Sequence, residues 1–357
     1  MKVVSVVGAR PQFIKAAPVG KALRAAGHTE VLVHTGQHYD DEMSAVFFRE
    51  LEIPQPDCSL GVGSGSHGWQ TGQTLMCIEE VLLAEKPDCV LVYGDANSTL
   101  AGALAAVKLH IPLAHVEAGL RSFNREMPEE HNRVLTDHCS DLLFCPTQTA
   151  VDNLVREGIT QGVHLVGDTM YDAVLQFAEI ARQRSTILRD LGLKPKGYLL
   201  ATVHRPYNTD VPENLRNILT AFAEIGELTI FPVHPRTREK IAELDGVVSP
   251  EFSRNVRMIE PVGYLDMLVL EQNARLALTD SGGMQKEAYF FGIPCVTLRP
   301  ETEWVETVEA GWNVVVGANR AEIVSVVNGH DWPKATPSTV FGDGQAARRI
   351  VAQLVGE

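Results

Sequence analysis

No stretch of this sequence reaches the ~18 apolar residues that a membrane-crossing helix needs. Its opening segment, Met1-Lys2-Val3-Val4-Ser5-Val6-Val7-Gly8, lacks the long apolar region and small-residue cleavage site of a secretory signal, and its apolar run is strand-sized. The expectation is a cytoplasmic chain with no membrane partner. Six cysteines are present (Cys58, Cys77, Cys89, Cys139, Cys145 and Cys295), but none forms a CxxC pair and several sit inside apolar runs. That pattern excludes a disulfide scaffold and fits small buried residues in a reducing compartment. Basic excess is also missing. Lys and Arg total 31 against 45 Asp and Glu, a formal charge of −14. An acidic surface repels polyphosphate and excludes nucleic acid as the expected partner. The same field opposes a phosphorylated small molecule, which must be drawn by local cations and helix ends. No internal repeat or low-complexity segment is evident.

What is present is an alternation. The 357 residues, 45% hydrophobic and 21% charged, suit two domains of ~150–200 residues each. Val3–Val7, Val31–His34, Cys89–Tyr93, Leu113–Val116 and Leu142–Cys145 read as buried strands. Segments of helical spacing, such as Ser98–Leu109 and Glu129–Ser140, lie between them. A second series comes later: Tyr198–Val203, Leu228–Val233, Val256–Ile259, Leu276–Thr279 and Cys295–Leu298. Near-continuous apolar strands separated by helices predict an α/β fold of two doubly wound parallel sheets, facing across a cleft. Between the series, Tyr171–Leu191 reads as one long helix before a Gly/Pro/Lys-rich connection. The expected organisation is an N-terminal domain over residues 1–168, a second domain over 169–335, and a tail, 336–357, whose helix Gly344–Val355 packs back on the first domain.

In open α/β sheets, ligands bind beyond the carboxyl ends of the strands, so the polar residues just after each strand are the candidates. The first strand runs into Gly8-Ala9-Arg10-Pro11-Gln12-Phe13-Ile14-Lys15. Gly8 permits a tight turn, and Pro11 suits a first helical turn. Arg10 and Lys15 then flank a helix N-terminus, which favours an anion. Two further strands run into carboxylates, Asp95 and Glu117. Asp95 alone reads as a helix cap. Two at equivalent strand ends suggest an acid and a base whose pKa values are pushed apart. Glu129 and Glu130 open a helix, where acidic residues serve stability alone. In the second half, a strand ends in His204-Arg205 and another in Asp280-Ser281-Gly282-Gly283. The two glycines expose backbone N–H groups to a phosphate, Ser281 adds a hydroxyl, and Glu287, further along that helix, suits ribose hydroxyls.

Two signals fail on context. Gly63-Ser64-Gly65-Ser66-His67-Gly68 matches G-x-G-x-x-G but comes after no strand, so it reads as a loop and not as a dinucleotide site. His34 and His38 are separated by Gly36 and have no third ligand in pattern, so no metal is expected.

Taken together, Gly8-Ala9-Arg10-Pro11-Gln12, Gly94-Asp95, His115-Val116-Glu117-Ala118-Gly119-Leu120-Arg121, Pro128-Glu129-Glu130-x-Asn132-Arg133 and Asp280-Ser281-Gly282-Gly283-x-Gln285 resemble the non-hydrolysing UDP-N-acetylglucosamine 2-epimerases. The likeness runs in the family's order from residue 1 to roughly residue 317. It implies the two-domain glycosyltransferase-B fold, a homodimer, and no cofactor. The implied reaction eliminates UDP across C1–C2, giving a 2-acetamidoglucal, and adds it back with the C2 proton on the opposite face. The resemblance further implies that Asp95, Glu117 and Glu129 are the catalytic acids. It implies diphosphate contacts for Arg10 and His204, the phosphate turn for Ser281, Gly282 and Gly283, the ribose acid for Glu287, and an active-site basic position for Arg133.

The sequence also departs from the commonest pattern of that family. Ala96 comes after the acid where Thr is frequent, Pro206-Tyr207-Asn208 comes after His204-Arg205, and Asp40 stands where substrate-activated members carry a second Gln. Thr35-Gly36-Gln37-His38-Tyr39-Asp40, Val166-Gly167-Asp168-Thr169-Met170 and Lys286-Glu287-Ala288-Tyr289-Phe290-Phe291-Gly292 look closer to a branch acting on UDP-2,3-diacetamido-2,3-dideoxy-glucuronic acid. The rival readings are a glycosyltransferase on the same fold, a hydrolysing epimerase, and a sugar-nucleotide sensor.

Overall fold

A computed structural model describes residues 1–36, 53–247 and 249–356, apart from the side chain of Arg10. The segment Gln37, His38, Tyr39 and Asp40, singled out above, lies outside the described residues. The chain divides into two compact units, Met1–Gln176 with Thr339–Glu357, and Phe177–Ser338.

The first unit is built on β1 (Lys2–Val7), β2 (Thr29–His34), β3 (Cys58–Ser59), β4 (Cys89–Tyr93), β5 (Leu113–Val116), β6 (Leu142–Cys145) and β7 (Val163–Leu165). Their order across the sheet is β3-β2-β1-β4-β5-β6-β7, all pairs parallel. The second unit has β8 (Leu199–Thr202), β9 (Thr229–Pro232), β10 (Val256–Ile259), β11 (Leu276–Thr279), β12 (Cys295–Thr297) and β13 (Asn313–Val315), in the order β10-β9-β8-β11-β12-β13, again parallel. Strands such as Val3–Val7 and Cys89–Tyr93 are buried along their whole length. A parallel sheet with helices on both faces demands that, and it is why they read as unbroken apolar runs.

The helices that bear on the site are α1 (Arg10–Ala25), α2 (Asn97–Lys108), α3 (Pro128–Cys139), α4 (Thr169–Arg184), α5 (Tyr264–Asn273), α6 (Gly282–Phe290) and α7 (Ala346–Val355). The expected single helix Tyr171–Leu191 is broken. It stops at Arg184 and a short helix resumes over Ile187–Leu191. Ser185 Oγ binds Asp266 and also accepts from the Ile187 N–H, while Thr186 Oγ1 binds Asp190. Side chains that compete for backbone groups in this way interrupt a helical ladder. The last helix likewise begins at Ala346, not Gly344, because Gly344 takes a positive φ of 79°. Within the first unit α7 packs on α1, and the Asp172 carboxylate caps it, accepting from Ala346 N at 3.1 Å and Ala347 N at 2.8 Å.

Each sheet reverses its winding at one point, between β1 and β4 in the first unit and between β8 and β11 in the second. Such switch points are where strand ends part and ligands enter. Among the described residues, no helix is long and apolar enough to cross a membrane.

Candidate active-site residues in the two units

In the first unit the turn after β1 is held from inside. Gln12 Oε1 accepts from Gly8 N at 2.7 Å, Ala9 N at 2.9 Å and Ser98 Oγ at 3.0 Å, and its Nε2 donates to Tyr93 O at 2.8 Å. The helix N-terminus therefore offers an anion less than its sequence suggests. Two of the N–H groups at the turn are already satisfied, so cationic side chains are left to act there. Gly8 is required by close approach, since a Cβ would lie 2.2 Å from Thr35 Oγ1.

Lys15 differs from its expectation too. It is buried, and its Nζ lies 2.5 Å from Glu117 Oε2. One turn into α1 from Pro11, its side chain runs back along the helix toward the strand ends, where the β5 carboxylate meets it. Glu117 has φ +72°, a left-handed conformation that strains a non-glycine residue by ~1–3 kcal/mol. The register Tyr93↔Val116 sets Gly94-Asp95 and Glu117 side by side at the ends of β4 and β5. Gly94, at φ +61°, would bring any Cβ to 3.1 Å from Lys15 Nζ.

Asp95 is the more open acid, its side chain 32% exposed. Arg133 Nη2 donates to its Oδ2 at 2.5 Å, and Asn132 Nδ2 donates to its carbonyl at 2.9 Å. Both donors come from α3, whose buried stripe is polar: Glu130, Asn132, Arg133, Thr136 and Asp137. Glu130 does more than stabilise a first turn. Its carboxylate accepts from Ser122 N, Phe123 N and Arg133 Nη1, each at 2.9 Å, which ties the preceding loop to the cation. Glu129 stands half-buried beside it in the same turn. An open groove of about 640 Å³, lined by His67, Thr71, Asn97, Arg125 and Asn132 among others, adjoins Asp95 through Asn97 and Asn132.

Behind these acids lies a network that the motifs alone do not assign. His115 is wholly buried, with Nδ1 2.7 Å from Asp137 Oδ1 and Nε2 2.7 Å from Gly94 O. The ring is thus held between two acceptors, a carboxylate and a carbonyl. Asp137 Oδ2 accepts from Gly119 N and from Arg121, which also pairs with Glu157. Burial works to raise the Asp137 pKa, but the hydrogen bond and charge of His115, then Arg121, overcome it and hold the carboxyl below its ordinary value. The network fixes the Gly94 and Gly119 turns on either side of Glu117. Two sequence signals point to it: a histidine inside an otherwise apolar strand, and a helix whose inward positions are polar.

In the second unit, Asp280 is fully buried at the end of β11. It accepts from His204 N at 3.0 Å, Arg205 N at 3.0 Å and Asn208 Nδ2 at 2.9 Å. It thereby anchors the β8 loop that carries His204. The His204 ring keeps 44% of its side chain open, with Nδ1 3.4 Å from Asp280 Oδ1. Desolvation lowers its pKa, Asp280 opposes, and Arg205 and Arg299 add to the lowering. Ser281 is the N-cap of α6, its Oγ accepting from Met284 N at 3.4 Å. A hydroxyl that accepts still has its own proton to donate. Gly282 and Gly283 form the first turn behind it, and Glu287 lies buried farther along. Arg10 opens α1 at the β1 turn; its side chain lies outside the described residues.

These placements divide the candidates by unit. Asp95, Glu117, Glu129, Arg133 and Lys15 belong to the first; His204, Ser281, Gly282, Gly283 and Glu287 belong to the second. The first unit gathers acids at its strand ends and the second starts a helix with two glycines at its own, and known proteins match the chain along nearly its whole length. The family model described as UDP-N-acetylglucosamine 2-epimerase matches residues 21–355. The chain is 56% identical over 99% of both chains to a UDP-N-acetylglucosamine 2-epimerase homolog of Methanococcus maripaludis. It is 51% identical, over 99% of each, to the UDP-2,3-diacetamido-2,3-dideoxy-D-glucuronate 2-epimerase of Pseudomonas aeruginosa. The crystal structure of Methanocaldococcus jannaschii UDP-GlcNAc 2-epimerase in complex with UDP-GlcNAc and UDP superposes with a TM-score of 0.92, at 45% identity over the whole of both chains. With the match spanning nearly the whole chain in sequence and in fold, this protein belongs to the UDP-N-acetylglucosamine 2-epimerase family.

Proposed function

We propose that this chain inverts C2 of a UDP-2-acetamido sugar, converting UDP-N-acetylglucosamine to UDP-N-acetylmannosamine without hydrolysis and without a cofactor. The observation that carries the reading is the pair of carboxylates on adjacent strand ends, Asp95 and Glu117, each held by its own buried cation, Arg133 and Lys15. The C2 proton is weakly acidic, so the carboxylate that takes it must be positioned as well as basic.

One acid of the set Asp95, Glu117 and Glu129 removes the C2 proton. The C2–H electron pair becomes the C1=C2 double bond, and the C1–O bond breaks with its electrons on the diphosphate oxygen. The 2-acetamidoglucal and UDP are the intermediates. The same phosphate oxygen then bonds to C1, and C2 receives a proton from a second acid on the opposite face. Charge grows on the departing diphosphate, so the α6 N-terminus at Gly282-Gly283, the Ser281 hydroxyl, the His204 ring and Arg10 stabilise the transition state there. Glu287 takes the ribose hydroxyls. Lys15 we assign to Glu117, as its positioning partner.

A second reading keeps this reaction and changes the sugar. Identity to the P. aeruginosa diacetamido-glucuronate enzyme, 51%, exceeds that to the M. jannaschii structure, 45%. Side-by-side kinetics on the two UDP sugars decide between them through kcat/KM. The reading as a whole expects a C2-epimeric nucleotide with no stoichiometric release of UDP. Release of UDP in quantity, or no conversion of either sugar, contradicts it. The same reading includes a cytoplasmic homodimer, checked by sedimentation and fractionation.

A further inference from the structure

One buried acid of the second unit takes no part in this chemistry. Glu271, on α5, has no solvent-exposed surface, and neither of its carboxyl oxygens receives an N–H or O–H donor from the described residues. Its side chain instead meets that of Glu287 on α6, whose Oε1 accepts the Tyr264 hydroxyl at 2.8 Å. Tyr264 opens the same helix that carries Glu271. Tyr198 and Cys295, the other titratable groups near Glu271, are uncharged in this setting.

An ionised carboxylate buried with no donor is among the costliest arrangements a protein can hold, and such a group takes up a proton instead. A neutral carboxylic acid has one O–H to give, and the acceptor beside it is the Glu287 carboxylate. We propose that Glu271 is a positioning residue: as a neutral acid it donates to Glu287 and, with the Tyr264 hydroxyl, fixes that carboxylate for the two hydroxyls of the nucleotide's ribose. Burial raises the Glu271 pKa well above its ordinary value, and the charge of Glu287 raises it further, in keeping with that geometry. Two carboxyl groups that share one proton form a single oriented acceptor, the arrangement a vicinal diol calls for. The proposal rests on the ribose role given to Glu287 above.

The test compares UDP with 2′,3′-dideoxy-UDP by calorimetry in wild type, Glu271→Met, Glu271→Gln and Glu287→Gln. Wild type should prefer UDP by at least about 10-fold, because a site built to bond hydroxyls rejects the analogue lacking them. Glu271→Met, which cannot donate, should lower that ratio to about 3 or less, whereas Glu271→Gln, whose amide still donates, should keep most of it. A wild-type ratio kept in Glu271→Met but lost in Glu287→Gln overturns this inference alone. A wild-type ratio near one overturns the ribose role and this inference with it. Should Glu271→Met fail to fold, the infrared difference between wild type and Glu271→Gln at pH 7 decides: a protonated-carboxyl stretch missing from the variant supports the proposal, and its absence from wild type overturns it.

Discussion

The two units build their switch points from different materials. In the first, the turn residues are ionic and interlocked: Glu117 with Lys15, Asp95 with Arg133, and behind them His115, Asp137, Arg121 and Glu157. In the second, one buried carboxylate, Asp280, gathers backbone N–H groups, and the groups at the strand ends are a helix start, a hydroxyl and a partly open imidazole. A set of acids locked by buried cations suits chemistry that must hold a carboxylate at one carbon atom. A cradle of fixed dipoles suits a diphosphate whose charge rises and falls during turnover. Two separate sheets of the same parallel kind host them, so the difference lies in the few residues after each strand.

The comparison breaks first if the acids prove to be binding residues. Asp95→Asn, Glu117→Gln and Glu129→Gln should each cut turnover by at least ~10²-fold. UDP affinity, measured by calorimetry, should stay within about threefold in all three, since the proposed function assigns the nucleotide to other residues. Equal losses in turnover and UDP affinity would erase the division of labour between the units.

The buried network behind the acids sharpens it. Asp137→Asn leaves the buried Arg121 charge poorly compensated, and breaking such a buried pair costs about 3–5 kcal/mol of stability. The sign with pH is set by the depressed Asp137 pKa. Its contribution is complete above the ordinary carboxyl value near ~4 and is lost as pH falls through the depressed value. Denaturant unfolding should therefore show the gap between wild type and Asp137→Asn closing at low pH. A gap that persists unchanged to pH ~2 would contradict the assignment.

In the second unit, His204→Ala and Ser281→Ala should each weaken UDP binding by about tenfold or more, the usual worth of a hydrogen bond to a charged group. Arg10→Ala should do the same. Unchanged UDP affinity in all three would move the phosphate site. The smallest effect is none at all: with Asp40 where substrate-activated members carry a second Gln, we propose a hyperbolic rate curve on UDP-N-acetylglucosamine, since a carboxylate beside a diphosphate is repulsive. A sigmoidal curve would contradict that reading of Asp40.

Much of this fold is legible in the sequence. The strand cores are plain because a parallel sheet buried on both faces leaves no alternation to confuse the reading, and Asp95 and Glu117 stand out because each directly succeeds an apolar strand. Partners are harder to see. Lys15 reads as a cation at a helix start that favours an anion, and its pairing with Glu117 at a distant strand end is set only by the fold. His115 and Asp137 are 22 positions apart, a pairing that depends on how α3 docks under β5. The break at Ser185-Thr186 is hidden because helical spacing continues on both sides, and the division between units inside α4 carries no turn signal. The Glu271–Glu287 pair joins two helices that are each ordinary in sequence.

Proton exchange at one carbon is the most direct test of the proposed chemistry. Incubated in deuterated water with unlabelled UDP-N-acetylglucosamine or its diacetamido uronic acid relative, the protein should place deuterium at C2 of the epimer it forms, with the nucleotide still attached, because the proton that returns comes from a different acid than the one that left. An epimer carrying no deuterium at C2, or free UDP in place of an epimer, would contradict it.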